Sequence, residues 1–410
     1  MQQALREGTR GSGASVRDRV RAGLVVAEIA LALILLNGAG LLLRSAVDLQ
    51  RVNPGFDTHN LLLAGLQLPQ AAYASDTAAA VTLERIAANV AVVPGVKSAA
   101  LVSRPPIASG GDDCAFWPEG SQGPSNAYGA NGRVATPNFF ETMGIPLVRG
   151  RAFGPADLSG APPVAMINAS LARELYGPAD PIGRRIAACA DPATGKAQWA
   201  TIVGVTGDIR ASGLGAGIRD EVYYPLAQKP QRAMALVVRG SLPVAALTQA
   251  IRRVVVAVDP QLPLSQPMTM EEVVRRSMAS SRFTMTLFAL LGLTGLVLAT
   301  VGVYGVIAYF VVQRTHEFGV RMALGADANR VVSQVVRHGL ALGLIGVGIG
   351  SVLSLWATQL IHSELFDVSP HDPATFAGVA AILVLVTALA SFIPARRATR
   401  VDPVICLRDG

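Results

Sequence analysis

Glu317-Phe318-Gly319-Val320-Arg321-Met322-Ala323-Leu324-Gly325-Ala326 is a short polar stretch held between two long apolar segments. Glu317 and Arg321 stand four residues apart with the acid first, the favourable order for an ion pair along one helical face. Met322 and Leu324 offer apolar anchors, and Gly325 reads as a helix stop before a second helical pattern from Asn329 to Val336. The stretch predicts a helix lying along a membrane surface, its polar side turned to something soluble. Composition alone also allows a solvated loop helix.

Of 410 residues, 51% are hydrophobic and 15% charged, and the mean hydropathy is +0.42. That balance is too apolar for an ordinary soluble chain and points to an integral membrane protein. A formal charge of +7 could suit nucleic acid. The arginines, however, cluster beside the apolar segments, which the positive-inside effect explains better. Three cysteines are too few for a disulfide scaffold.

Four apolar segments can span a bilayer. Residues 1–21, with Arg6, Arg10, Arg17, Arg19 and Arg21, read as a flexible cytoplasmic arm and not as a cleaved signal peptide. So loose an opening makes a longer parent chain an expectation. Residues 22–43 form the first span, interrupted by Glu28 and Asn37. Glu28 reads as an intramembrane polar pin between helices, or as a tolerated carboxylate near the basic end. Residues 283–312 form the second span, about 45 Å long, which should protrude as a stalk. Gly292, Gly295, Ala299 and Gly302 fall on one of its faces, a small-residue seam for close helix approach. Residues 313–338 are the coupling segment and 339–361 the third span, where Gly339, Gly343, Gly346 and Gly350 repeat before Ser354. These seams suit sliding helices or static packing alike. Residues 374–393 form the fourth span, which Pro394 should end before a basic tail, 394–410.

The arm, the 313–338 segment and the tail are rich in arginine, whereas the 362–373 loop is acidic. Four spans bring the three basic segments to one side and put the block 44–282 on the other. Both termini are therefore expected in the cytoplasm. Arg44 is the one charge that dissents.

The block 44–282 reads strand, helix, strand at its start: Leu61–Leu68, Thr77–Val92 and Ser98–Val102. The pattern recurs in Ala233–Val238, Val244–Val258 and Leu262–Leu264, so one split α/β core of two similar halves is expected. Between them, residues 104–232 carry short strands and turns, a β-rich inserted lobe. Cys114 and Cys189 both fall in the lobe and could form a disulfide outside the cell membrane, or remain free buried thiols. Glu271 to Ser281 reads as a polar helix running straight into the second span.

Catalytic patterns fail residue by residue. Gly195-Lys196 is the nearest approach to a P-loop, but Ala190 and Ala197 stand where Gly and Ser or Thr are required. His316-Glu317 begins a zinc-protease motif, yet Val320 replaces its second histidine. No G-x-S-x-G elbow occurs and the five histidines are scattered, so neither a catalytic residue nor a metal site is expected.

One span, a large external domain and three further spans resemble the MacB/FtsX-like family of ABC permeases, the type VII or mechanotransmission class. Glu317, Gly319, Arg321, Ala323, Leu324, Gly325 and Ala326 match that family's E-x-G-[IV]-R-x-A-L-G-A motif. Pro394-Ala395-Arg396-Arg397-Ala398, Asp402-Pro403-Val404 and Leu407-Arg408 are similar to its ending. The resemblance implies a four-span α-helical region plus an extracytoplasmic α+β domain of the MacB periplasmic core type, with residues 283–410 as the FtsX-like permease domain. More narrowly, Val25-Val26-Ala27-Glu28, Gly38 to Ser45, Leu5-Arg6-Glu7-Gly8 and Tyr223-Tyr224-Pro225-Leu226 resemble duplicated permeases of the acidobacterial kind. This chain looks like the C-terminal unit of such a pair, and it is expected to depart from the MacB pattern in having no nucleotide-binding domain ahead of its first span.

The resemblance implies that the 313–331 helix docks on a separate ABC ATPase, which would handle ATP and magnesium, while this chain holds no cofactor. A second permease unit, itself or a fused sister, would complete the assembly in the bacterial inner membrane. ATP-driven motion would pass along the stalk to the external domain, with efflux, lipoprotein or other envelope substrates or a partner protein at its end. The alternative is an FtsX-type regulator or scaffold controlling an external partner such as a cell-wall hydrolase. A membrane-anchored external enzyme is the third class, and it lacks a catalytic constellation.

Overall fold

The computed structural model describes residues 4–108, 112–121, 128–188, 198–265, 267–315, 317, 318, 321, 327–360, 368, 369 and 371–398. The chain divides into two compact units, Val52–Ala279 and the pair Met1–Arg51 with Ser280–Gly410.

The second of these units is built from four long helices, numbered here with all helices along the chain. They are α1 (Ala4–Gln50), α7 (Ala279–Gln313), α8 (Ala328–Leu360) and α9 (Pro373–Ala398). Each contains a stretch long and apolar enough to cross a membrane. Large apolar side chains such as Phe283, Leu290, Val301, Val352, Trp356 and Leu385 face outward. That is the inverse of a soluble bundle and what hydrocarbon requires. Inside, Ile29, Leu33, Val303, Ile307, Val335 and Leu383 make the core. At 35 residues, α7 is about 52 Å long.

Four boundaries differ from the sequence reading. The arm, expected to be flexible, is the start of α1, which is helical from Ala4. No proline precedes Pro54, and a helix already nucleated by an apolar span extends at little cost. Likewise α8 begins at Ala328, so the Asn329–Val336 helix and the third span are one rod. Asp327 starts it, its side chain accepting from Asn329 N at 3.0 Å. Pro394 lies inside α9 and does not end it. Its last turn is held by buried Ala395 and by Arg397 Nη1 donating to Tyr304 Oη at 3.0 Å. Lastly, the polar helix before the second span is separate: α6 (Met270–Ser277) is capped at Met278 and α7 starts afresh at Ala279.

The other unit is an α/β domain. β1 (Leu61–Gln67), α2 (Asp76–Ala91) and β2 (Val96–Val102) form one half; β10 (Ala233–Gly240), α5 (Val244–Val258) and β11 (Met268–Thr269) form the other. The strands interleave in the order β11-β1-β10-β2, all antiparallel, the split β-α-β arrangement. Ser75 caps α2, accepting from Ala78 N at 3.1 Å. Leu62, Leu66, Leu101 and Leu236 pack under α2 and α5 with Leu83, Ile86, Leu247 and Ile251. Their neighbours Leu61, Leu63, Ala100 and Val237 point the other way, against α3 (Phe139–Met143) and α6. Both faces are covered, which is why these strands read as unbroken apolar runs. The fourth strand is Met268–Thr269 and not Leu262–Leu264. Pro263 has no N–H to give a ladder, and Leu264 makes only a single bridge to Leu66.

Between β2 and β10 lies the lobe. Its strands are β3 (Asp112–Pro118), β4 (Tyr128–Ala135), β5 (Leu147–Gly150), β6 (Val164–Asn168), β7 (Arg185–Ala188), β8 (Gln198–Thr206) and β9 (Glu221–Pro225), with α4 (Ala169–Tyr176) after β6. Pairing runs β4-β3-β7-β8-β6-β9, and β9 then pairs in parallel with β4, closing a six-stranded ring. β5 extends one edge by pairing with β8. Inside the lobe, Arg133 and Glu221 are fully buried and paired at 3.1 Å. Tyr223 donates its hydroxyl to the same carboxylate, and the Arg133 guanidinium also donates to the Arg104 carbonyl. Burial first, then the Glu221 charge, pushes the Tyr223 phenol well up, so it remains a donor. Cys189 lies outside the described residues, and with it any pairing to Cys114.

Candidate functional site

The segment that follows α7 is fixed from inside by aromatic packing. Phe318 is 1% exposed and sits among Val311, Val331, Val335 and Ala395. Two turns back, Phe310 stacks on His338 of α8 with ring centroids 4.5 Å apart and planes 14° apart. Arg314 also lies over the Phe310 ring, 4.6 Å from its centroid. The end of α7 and the start of α8 are thereby joined by rings.

Outside this packing the segment presents charge. Glu317 and Arg321 pair at 2.5 Å along one helical face, and Arg314 approaches Glu317 at 4.0 Å. Arg321 Nη1 also donates to Gln334 Oε1 of α8 at 3.3 Å. All three charged side chains are about half exposed, so the pair adds little to stability and stays open to a partner. Gly319, Ala323, Leu324, Gly325 and Ala326 lie outside the described residues. Phe318 is an anchor that the sequence reading, resting on Met322 and Leu324, misses. Its spacing of two helical turns from Phe310 is the signal that would have found it.

The α7 seam and half of the α8 seam meet the same helix, α1. A methyl group at Gly292 would meet Leu36, one at Gly295 would meet Ala32, and one at Gly302 would strike the Glu28 carboxylate and Val25. Ala299 is buried in the same seam. On α8 the repeat divides. Gly346 and Gly350 lie against Ile29, Ala30 and Leu33 of α1, whereas Gly339 and Gly343 lie against Ser391 and Thr387 of α9. The first span is thus packed on two sides by glycine.

Polar residues of the first span have separate places. Asn37 is fully buried and donates to Ser354 Oγ at 3.1 Å, linking α1 to α8. Glu28 fills the space that Gly302 leaves, and its Oε2 has no hydrogen-bond partner among the described residues. Arg21, which lines the same hollow as Glu28, lies over the Tyr309 ring at 4.3 Å. Among the described residues, no three metal-ligating side chains converge.

Comparison with known families agrees with this architecture. The profile of the MacB-like periplasmic core domain matches residues 23–260, and that of the FtsX-like permease C-terminal domain matches 289–403. The chain belongs to the family of MacB-like, FtsX-type ABC transporter permeases. It is 27% identical over 280 residues to the macrolide export ATP-binding/permease protein MacB of Burkholderia thailandensis, covering 66% of this chain and 41% of that protein. It is 25% identical over 288 residues to the probable syringafactin export ATP-binding/permease protein SyfD of Pseudomonas syringae pv. tomato, covering 66% and 40%. The chain therefore spans less than half the length of these curated relatives. Among solved structures, the periplasmic region of MacB from Actinobacillus actinomycetemcomitans aligns at 11% identity and a TM-score of 0.37, covering 55% of this chain and 95% of that one.

Proposed function

We propose that this chain is the permease subunit of an ABC transporter, docking a separate ATPase on the segment that carries Glu317 and Arg321. The observation that carries this reading is the division of that segment. Phe318 is sunk in the helical core while the Glu317–Arg321 pair faces solvent. A docking element must be held rigidly on one side and readable on the other, since binding energy spent on ordering it would be lost. ATP and magnesium belong to the ATPase in this scheme, and this chain performs no chemistry. The basic flanks of the spans support a topology with both termini in the cytoplasm of a bacterial inner membrane and the α/β unit in the periplasm. Movement of the docked segment would be delivered through α7 to that unit, which acts on an envelope substrate. A second permease unit, identical or fused, completes the pair.

The test is co-purification. The double variant Glu317→Ala, Arg321→Ala should insert normally, keep its melting temperature and lose the ATPase. Phe318→Ala should lose both docking and about 3 kcal/mol of stability. Undiminished ATPase recovery with the double variant would overturn the docking role.

A further inference from the structure

The α/β unit contains a cleft of about 290 Å³ between α2 and the inserted lobe. One wall is the face of α2 that carries Glu84, Ala88 and Ala91; the other presents the apolar groups Pro155, Leu158 and Leu226 beside Asp157, Thr136 and Asn138. The alanines keep the helix wall low, and this leaves the space open.

Two of the lining residues are charged, Glu84 and Asp157, and they differ in one respect. Asp157 is satisfied. Arg151 grips it at 2.6 and 2.8 Å, and Gly154 N donates to it at 2.8 Å. The neutral polar groups are also engaged: Thr136 Oγ1 accepts from Leu101 N, and the Asn138 amide donates to the Ala99 carbonyl. Glu84 has neither a hydrogen bond nor an ion pair among the described residues, and burial alone pushes its carboxyl pKa up. An unpaired carboxylate held against apolar walls is an unfavourable arrangement that a cation would relieve.

We propose that this cleft binds a small organic amine, its ammonium group on Glu84 and its apolar body between Ala88, Ala91, Leu158 and Leu226. An apolar pocket with a single polar group fixing orientation is the usual build of a small-molecule site. A neutral ligand would leave the Glu84 charge uncompensated, and an anion would oppose it. The proposal stands apart from ATPase docking and does not require it.

The probe is 4-phenylbutylamine, with 4-phenylbutanol as the same body lacking the charge, titrated calorimetrically into the full chain in lipid nanodiscs with empty discs subtracted. The amine should bind about tenfold tighter than the alcohol, and Glu84→Gln should erase that ratio. Because Glu84→Gln removes an unpaired desolvated carboxylate, the melting temperature should hold or rise, which separates lost binding from lost folding. Ala88→Phe, which fills the cleft, should abolish binding of both probes. Equal affinity for amine and alcohol, no binding of either, a preference that survives Glu84→Gln, or amine binding that survives Ala88→Phe would each overturn the assignment.

Discussion

Arg44 Nη1 stands 2.5 Å from Asp372 Oδ2, tying the end of the first span to the residue that precedes the fourth. The same carboxylate accepts from Thr375 N at 2.9 Å and Thr375 Oγ1 at 2.7 Å, so it caps α9 as well. The dissenting arginine of the sequence is thus answered by an acid at its own end of the bundle. Asp372→Ala should lower the detergent melting temperature more than Arg44→Gln, since only the former removes the cap as well as the pair. The Thr375 hydrogen bonds first, and Arg44 after them, hold the Asp372 carboxyl below its usual range. Its contribution is therefore present at neutral pH and fades only as pH falls through that lowered value. Equal losses from the two variants would contradict the capping role.

Gly348 and Gly350 sit on one helix and should respond oppositely to alanine. A Cβ at Gly350 would lie 2.8 Å from the Ala30 Cα, a backbone atom that cannot turn aside, whereas one at Gly348 meets nothing within 4 Å. Gly350→Ala should cost roughly 1–3 kcal/mol through overpacking. Gly348→Ala should be neutral, or stabilise by up to about 1 kcal/mol through helix propensity. Reversible unfolding in mixed micelles measures both.

Arg133 and Glu221 predict a different asymmetry. Glu221→Gln leaves a buried guanidinium without its counter-charge and should destabilise by about 3–5 kcal/mol. Replacing both, Arg133→Leu with Glu221→Leu, should cost less than the single change. A double variant worse than Glu221→Gln would mean that the pair itself supplies net stability.

Asp220 gives a pH signature. Burial first, and then the hydrogen bond and charge of Glu174, push its carboxyl up to about 6 from 3.8. The folded state then holds a proton that the unfolded state has released, so this contribution is full below about pH 4 and is lost as pH rises through 6. Asp220→Asn should flatten the stability profile across that window and raise stability at pH 7. A slope unchanged by the substitution would assign the window to other groups.

Local periodicity carried the sequence reading as far as it went. Glu317 and Arg321 were legible because a four-residue spacing on a helix fixes which side chains meet. The two βαβ halves were legible because strand and helix periods alternate in the same order twice. What faces what was not. Nothing in the spacing of Gly292 or Gly346 says that both seams press on α1, and Arg133 and Glu221, 88 residues apart, meet only because β4 and β9 pair in parallel. Pro394 misled for a related reason. A proline ends an isolated helix, but contacts made by Ala395 and Arg397 carry α9 past it.

Closure of the lobe also governs how another protein can meet it. Each of β3, β4, β6, β7, β8 and β9 has a strand partner on both sides along at least part of its length, which leaves little backbone for another chain to pair with. Any recognition there would fall chiefly to side chains, which can vary on one frame. Among the lobe's described strands, β5 alone keeps a side without a strand partner, and at four residues it offers a foothold too short for promiscuous strand addition. Surface side chains of the lobe can change without making it adhesive.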